Sequence, residues 1–384
     1  MSEWKDVLLT EITTKIGDGL HGTPIYDSNG EYHFINGNNL VNGKIFIKED
    51  TKKVNENEYL KYRKPINERT LLVGINGTIG NVAYYNNEKC ILGKSACYIN
   101  VDSKVDLDFI YYTFIGKEFQ NYIQEIATGT TILNVPLKGI REFSFRLPPL
   151  SEQKSIASVL SGLDNKIDLL HRQNATLEKM AETLFRQWFV EEVRDEWESK
   201  PLSSIANFLN GLASQKFLPK NDIDRLPVLK IKELREGITE NSDWATTDVK
   251  PEYIVKTGDV IFAWSASLMV KIWDGQDCIL NQHLFKVTSD DYPKWFYFLW
   301  CKYHLEEFIS IAASHATTMG HIKRRDLDEA IVIVPSTNKL EEMTLIVEPL
   351  IDKIIENNKQ IRTLTSLRNT LLPKLMSGEV RVEK

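Results

Sequence analysis

The spacing of apolar and polar positions changes partway along the chain, and the same change occurs a second time further on. Up to about Leu147, short apolar runs alternate with Asn/Gly turns: Lys44-Ile45-Phe46-Ile47, Thr70-Leu71-Leu72-Val73 and Ser95-Ala96-Cys97-Tyr98-Ile99. Such runs predict short β-strands joined by tight turns. A helical aromatic stretch from Phe109 to Ile126 follows, with a counterpart from Trp295 to Ala312, so the segment mixes α and β. The stripe Trp295, Phe296, Phe298 and Leu299 reads first as the core-facing side of an amphipathic helix, and second as a surface for base stacking. After Pro148-Pro149 the period lengthens, and Ser151-Glu152-Gln153 opens a long helix. Its seam recurs at steps of three and four through Leu160, Leu163, Ile167, Leu170, Asn174, Leu177, Ala181, Leu184 and Trp188. A second seam runs through Val347, Leu350, Ile354, Asn357, Ile361, Leu364, Arg368, Leu371 and Leu375. A period of 3.5 residues over about four heptads predicts a coiled coil, and one Asn within each seam predicts a device that fixes register.

The two seams belong to an internal repeat. From Thr130 to Phe189 a constant step of 187 residues finds the counterpart without a gap: Thr130-Thr131 meets Thr317-Thr318, Glu142 meets Glu329, and Pro148 meets Pro335. Upstream the offset drifts by a few residues, as loops of unequal length require, so that Cys90-Ile91-Leu92 meets Cys278-Ile279-Leu280 and Trp4 meets Trp197. A repeat of this length is one structural unit used twice. Helices packing separately on their own domains would not need two equal seams at equivalent places. Two equal seams suit two antiparallel helices packed on each other. From Leu160 to Trp188 is 28 residues, a rod of about 42 Å at about 1.5 Å per residue.

Composition narrows the class. With 384 residues, 42% hydrophobic, 26% charged and 10% aromatic, the chain has material for two ordinary cores. The start lacks an apolar leader and no uncharged apolar run is long enough to span a bilayer, so a cytoplasmic protein without membrane contact is expected. Cys90, Cys97, Cys278 and Cys301 are scattered and read as buried free thiols, with no metal site. A net charge of −6 argues against an extended basic footprint for nucleic acid, so either basic surface is local or partners supply it.

Catalytic signatures are missing. Gly93-Lys94-Ser95 ends like a phosphate-binding loop, but Glu88 stands where that loop needs glycine. Leu147-Pro148-Pro149-Leu150 has the proline pair of an adenine-methyltransferase loop without its flanking Asn/Asp and aromatic, no Pro-Asp opens a nuclease metal motif, and the seven His residues are dispersed.

The strongest motifs are Gly129-Thr130-Thr131 leading to Leu147-Pro148-Pro149-Leu150-Ser151-Glu152-Gln153, then Phe185-Arg186-Gln187-Trp188-Phe189-Val190, and the ending Leu371-Leu372-Pro373-Lys374-Leu375-Met376-Ser377-Gly378-Glu379-Val380. On these the full chain resembles the specificity subunits of Type I restriction-modification enzymes. The second copy departs from the pattern at Pro335-Ser336-Thr337-Asn338-Lys339-Leu340. The resemblance implies an α+β fold: two β-rich mixed target-recognition domains separated by two long antiparallel coiled-coil helices, with pseudo-twofold symmetry. The expected division is 1–147 for the first recognition domain, 148–192 for the central helix, 193–335 for the second domain and 336–384 for the C-terminal helix. The resemblance further implies a non-catalytic chain without a cofactor of its own. It would bind double-stranded DNA, two methyltransferase (modification) subunits and a restriction/translocase subunit, and those partners would use S-adenosylmethionine, ATP and Mg.

Base reading needs donors and acceptors on loops that reach a groove, and phosphate contact needs Lys, Arg, small hydroxyls or free N–H groups. Two loops per copy fit. One is Gly74 to Gly80, with Asn76, Gly77 and Thr78, paired in the second copy with Phe262 to Ser267, where Trp264, Ser265 and Ser267 lie; a plain hairpin turn is the competing reading. The other is Thr128 to Arg141, with Thr130, Thr131, Lys138 and Arg141, paired with His315 to Arg325, where His315, Thr317, Thr318, Lys323, Arg324 and Arg325 lie. A coiled-coil adaptor that never touches DNA is the alternative, and acidic charge is its attraction. Divergence between the two recognition segments favours readers of two different half-sites.

Overall fold

The computed structural model describes residues 4–314 and 320–382. They form two compact units, one of residues 1–166 with 365–384 and the other of residues 167–364.

In the first unit, Thr13–Asp18, Ala96–Val101, Thr70–Gly74 and Val82–Tyr84 make an antiparallel sheet in that strand order. The two inner strands are buried at every residue, which is why they read as continuous apolar runs and not as alternating ones. A second sheet sets Tyr32–Ile35 parallel to Cys90–Leu92, with Lys53–Val54 at its edge. The expected helix from Phe109 to Ile126 is two helices, Leu107–Ile115 and Lys117–Ile126, because Gly116 adopts an extended backbone between them. Asp106 caps the first by accepting from the Phe109 N–H at 3.0 Å. Phe109, Phe114, Phe119 and Ile123 share one core with Leu71, Val73 and Ile99. Of the expected run Lys44–Ile47 only Lys44–Ile45 pairs as a strand, since Phe46 and Ile47 are exposed.

The second unit repeats this plan. Its antiparallel sheet runs Asn207–Asn210, Leu284–Thr288, Val260–Ala263, Met269–Ile272, and Arg225–Leu229 lies parallel to Cys278–Leu280. Helices Lys294–Tyr303 and Leu305–Ser314 follow. Trp295, Phe296, Phe298 and Leu299 are all buried, so the aromatic stripe is core and offers no stacking face. All four cysteines are free and buried, and burial pushes the Cys90 and Cys278 thiols up to about 12, which removes them from thiolate chemistry near neutrality.

Each unit also holds part of two long helices, Leu150–Arg186 and Thr337–Ser377. Gln153 anchors the first: its Nε2 donates to the Pro148 carbonyl at 2.7 Å and its Oε1 accepts from the Asp106 N–H at 2.9 Å. In the first unit Asp164 takes hydrogen bonds from Arg368 at 3.1 Å and from the Tyr112 hydroxyl at 2.8 Å, and Leu160 shares a core with Leu371 and Leu375. In the second, Asn174 meets Asn357 and Asn358, while Ala181 and Phe185 share a core with Met343 and Val347. Rising numbers in one helix meet falling numbers in the other, so the pairing is antiparallel. Every seam position named from the sequence is buried or half-buried.

The seam asparagines form a short ladder that gained a third member unforeseen from periodicity. Asn357 Nδ2 donates to Asn174 Oδ1 at 2.9 Å, and Asn174 Nδ2 donates to Asn358 Oδ1 at 2.7 Å. Asn357 is fully buried and its Oδ1 has no partner among the described residues. Removing Asn174 would orphan the Asn357 amide altogether. Asn174→Ala is therefore expected to cost about 1–3 kcal/mol, measured as a lowered urea midpoint. An unchanged midpoint would show that the ladder contributes nothing.

Lys302, which lies between Glu178 and Glu182 of the central helix, ties that helix to the second unit's own aromatic helix. Burial disfavours its charge, but hydrogen bonds and attraction from the two carboxylates outweigh this and hold its pKa above the usual lysine value. Among the described residues no helix is long and apolar enough to cross a membrane.

Candidate nucleic-acid interface

Four loop segments meet in each unit, and the same backbone hydrogen bonds join them in both. In the first unit the segment after Asp18 is fixed where the Leu20 N–H donates to the Leu92 carbonyl at 2.7 Å. The turn 93–95 is fixed next, the Ile75 N–H donating to the Ser95 carbonyl at 2.9 Å. The turn 74–80 then joins the segment 128–135, with Gly77 N–H to the Leu133 carbonyl at 2.9 Å and Val135 N–H to the Ile75 carbonyl at 2.8 Å. The second unit repeats each bond: Leu212 to Leu280 at 2.8 Å, Trp264 to His283 at 3.4 Å, Ala266 to Gly320 at 2.8 Å and Ile322 to Trp264 at 3.1 Å. The two loop segments singled out in each copy are thus neighbours in space, although Gly77 and Leu133 are far apart in sequence.

The turn that carries Gly77 requires a left-handed residue, with φ +72. Its counterpart is Ala266 at φ +58, a conformation that costs an L-residue about 1–2 kcal/mol. The second copy therefore keeps the turn despite strain.

On the cluster of the first unit, Gly77, Thr78, Thr130 and Thr131 are exposed, and Asn76 is half-buried with its Nδ2 donating to Asn134 Oδ1 at 3.1 Å. Lys138 and Arg141 lie on the short helix Leu137–Glu142. Lys138 faces Glu142 at 3.7 Å, an exposed pair of small energetic weight. Arg141 donates to the Ile16 carbonyl at 3.1 Å, so its guanidinium is engaged with the strand behind the loops.

In the second unit Trp264 is half-buried, stacked on Phe285 with centroids 5.6 Å apart, and its Nε1 donates to Asn210 Oδ1 at 3.3 Å. Ser265 is buried and bonds His283 Nδ1 through Oγ at 3.1 Å, whereas Ser267 is exposed. Lys323, Arg324 and Arg325 are exposed. The Lys323 N–H donates to Asp326 Oδ2 at 2.6 Å, and Arg325 pairs with Glu329 at 2.6 Å. His315, Thr317 and Thr318 lie outside the described residues.

Beside this second cluster opens a cleft of about 670 Å³. Leu218, Ile231 and Trp244 give it apolar surface, and Gln215, Lys230, Lys232, Gln282 and His283 give it hydrogen-bonding and charged groups. Lys230 is paired with Asp243, and the Arg225 guanidinium lies 4.5 Å from the Trp244 ring centroid. Apolar surface ringed by amides, an imidazole, two lysines and the Asp243 carboxylate suits a ligand with flat polar edges. Among the described residues no cluster of His, Cys, Asp or Glu side chains is arranged to hold a metal ion.

Residues 1–179 and again 194–365 match the family described as Type I restriction modification DNA specificity domain. The chain belongs to that family. Among similar proteins, this specificity chain is 29% identical over 344 residues to the Type I restriction enzyme MjaIX specificity subunit of Methanocaldococcus jannaschii, covering 82% of this chain and 78% of that one. It is 24% identical to the MjaVIII specificity subunit of the same organism over 83% of this chain and 80% of that one. The crystal structure of the S subunit of a Type I restriction-modification system from M. genitalium has the same fold, with TM-score 0.63, 18% identity, and coverage of 98% of this chain and 96% of that one. Its α+β architecture with an internal repeat is thus the specificity-subunit fold.

Two parts of the loop cluster in this specificity chain carry no marked pattern in the sequence. The turns 93–95 and 281–283 share no residue, Gly-Lys-Ser standing against Asn-Gln-His, and the segments 19–23 and 211–215 carry no charge pattern. The signal available was the alignment of the two copies itself, where Lys94 stands opposite Gln282 and Ser95 opposite His283, directly after the matched Cys-Ile-Leu runs.

Proposed function

We propose that this chain is the DNA-reading subunit of a Type I restriction-modification complex, with each unit reading one half of a split target. The observation that carries the reading is the loop cluster: one backbone scaffold, built twice, presents different side chains at equivalent points. A scaffold of that kind suits recognition of two unlike sequences on one repeating polymer, and the family's description as a DNA specificity domain supports it. The chain itself is non-catalytic in this reading. Two methyltransferase subunits and a restriction/translocase subunit dock on it in the cytoplasm, and S-adenosylmethionine, ATP and Mg serve those partners. The exposed candidates Thr78, Thr130, Thr131, Ser267, Lys323 and Arg324 approach the duplex, while Arg141 and Ser265 hold the loops from behind.

The test is exchange of residues 1–147 for those of a relative with a different target, followed by binding-site selection with the methyltransferase subunits present. One half of the selected sequence is expected to change and the other to stay. Simultaneous change of both halves would reject one reader per unit.

A further inference from the structure

Lys94 and Gln282 occupy one structural position in two copies. Each follows a matched Cys-Ile-Leu strand, and each sits in a turn fixed on both sides by the backbone bonds shared between units. Gly19 and Gly211 allow this: a Cβ on either would lie 2.2 or 2.3 Å from a carbonyl of the strand end or turn it packs against, so the neighbouring segment can approach only without a side chain. The backbone at the turn is therefore rigid, and the side chain at its tip varies between copies. Lys94 is exposed, and Gln282 lines the 670 Å³ cleft with Gln215 and His283. His283 is held through Nδ1 by the buried Ser265 hydroxyl at 3.1 Å, and its Nε2 lies 3.4 Å from Gln282 Nε2. Leu218, 68% exposed, offers apolar contact at the mouth, and Lys232 is exposed on the rim. A fixed backbone with a variable polar tip is the arrangement that direct readout of base edges needs, and at Gln282 that tip stands beside a cleft of apolar, amide and charged side chains.

We propose, resting on the DNA-reading function above, that Lys94 and Gln282 are specificity-determining residues that contact base edges in the major groove, one in each half-site. A glutamine amide offers a donor and an acceptor together, which matches adenine N7 and the N6 amino group. An ammonium offers donors only, which matches guanine O6 and N7. One guanine in the first half-site and one adenine in the second are thereby assigned to these two side chains.

The experiment is binding-site selection with the full-length chain and its methyltransferase subunits, comparing the parent with Lys94→Ala, Lys94→Gln, Gln282→Ala and Gln282→Glu. Each alanine variant is expected to lose about 5- to 150-fold discrimination at one position of one half-site only. Lys94→Gln should move that position toward adenine, and Gln282→Glu, which keeps the size of the side chain, should move its position toward cytosine. Unchanged preferences in folded variants would overturn the proposal, and so would a uniform loss of affinity across all sequences, the mark of a phosphate contact. A parent complex that enriches no sequence would overturn the DNA-reading function itself, a distinct outcome.

Discussion

Lengthening both long helices by one heptad, inserted after Leu170 and after Leu364, is expected to widen the preferred gap between half-sites by about three base pairs. Seven residues at about 1.5 Å each add about 10 Å of helix, and duplex DNA advances about 3.4 Å per base pair. The insertion is compatible with the seam because a whole heptad keeps each apolar position facing its partner. Both insertion points fall near the Asn174–Asn357 contact, so the added turns enter both antiparallel strands of the pair at similar depth. The measurement is binding-site selection on parent and insert. An insert that folds, binds and still prefers the parental gap would show that the helices do not set target spacing.

Trp300→Ala is expected to be the most damaging single substitution in the second unit, at about 3–5 kcal/mol. The indole is 2% exposed and lies 4.9 Å from the Phe185 ring centroid, 5.6 Å from Phe189 and 5.4 Å from Tyr303. It thus joins the end of the central helix to the aromatic helix of its own unit. Truncation would leave a cavity between elements that cannot close without moving a long helix. Trp300→Phe should behave differently. The indole Nε1 is buried without a hydrogen-bond partner among the described residues, so replacing the indole by a benzene ring removes that orphan donor while keeping most of the packing. A loss below about 1.5 kcal/mol is expected for Phe, read from urea midpoints of the two variants. Equal losses for Ala and Phe would mean that the N–H is satisfied in solution and that its bond, more than ring packing, stabilises the core.

Periodicity carried much of this architecture because burial imposes it. The inner strands Thr70–Gly74 and Ala96–Val101 are buried on both faces and could be read as apolar runs, and the seams could be read because each of their positions is buried or half-buried. The break at Gly116 was hidden, since apolar residues continue with helical spacing on both sides and one glycine within such a pattern is a weak signal. The aromatic stripe at Trp295 was ambiguous for a related reason: composition cannot say whether a ring faces core or solvent. The loop cluster was only half legible. Glycines and threonines marked the segments, but their adjacency depends on backbone bonds such as Gly77 to Leu133, which leave no trace in side-chain pattern. Charge misled most where it was structural, as at Arg141, whose guanidinium is bonded to the Ile16 carbonyl.

The first unit is built from two stretches separated by the whole of the second. Trp4 lies against Gly378, the strand Lys5–Leu8 belongs to the same unit as Leu371, Leu372 and Met376, and Leu375 is buried in its core. The second unit is one uninterrupted stretch, residues 167–364. Order of synthesis therefore opposes order of completion. Residues 365–384 are translated after every residue of the second unit, so the core built on residues 1–166 is closed by a helix segment made later than the whole of residues 167–364. Residues 1–166 are thus completed after the second unit, and until then the apolar faces of Ile156, Ala157 and Leu160 lack the partners that Leu371 and Leu375 supply.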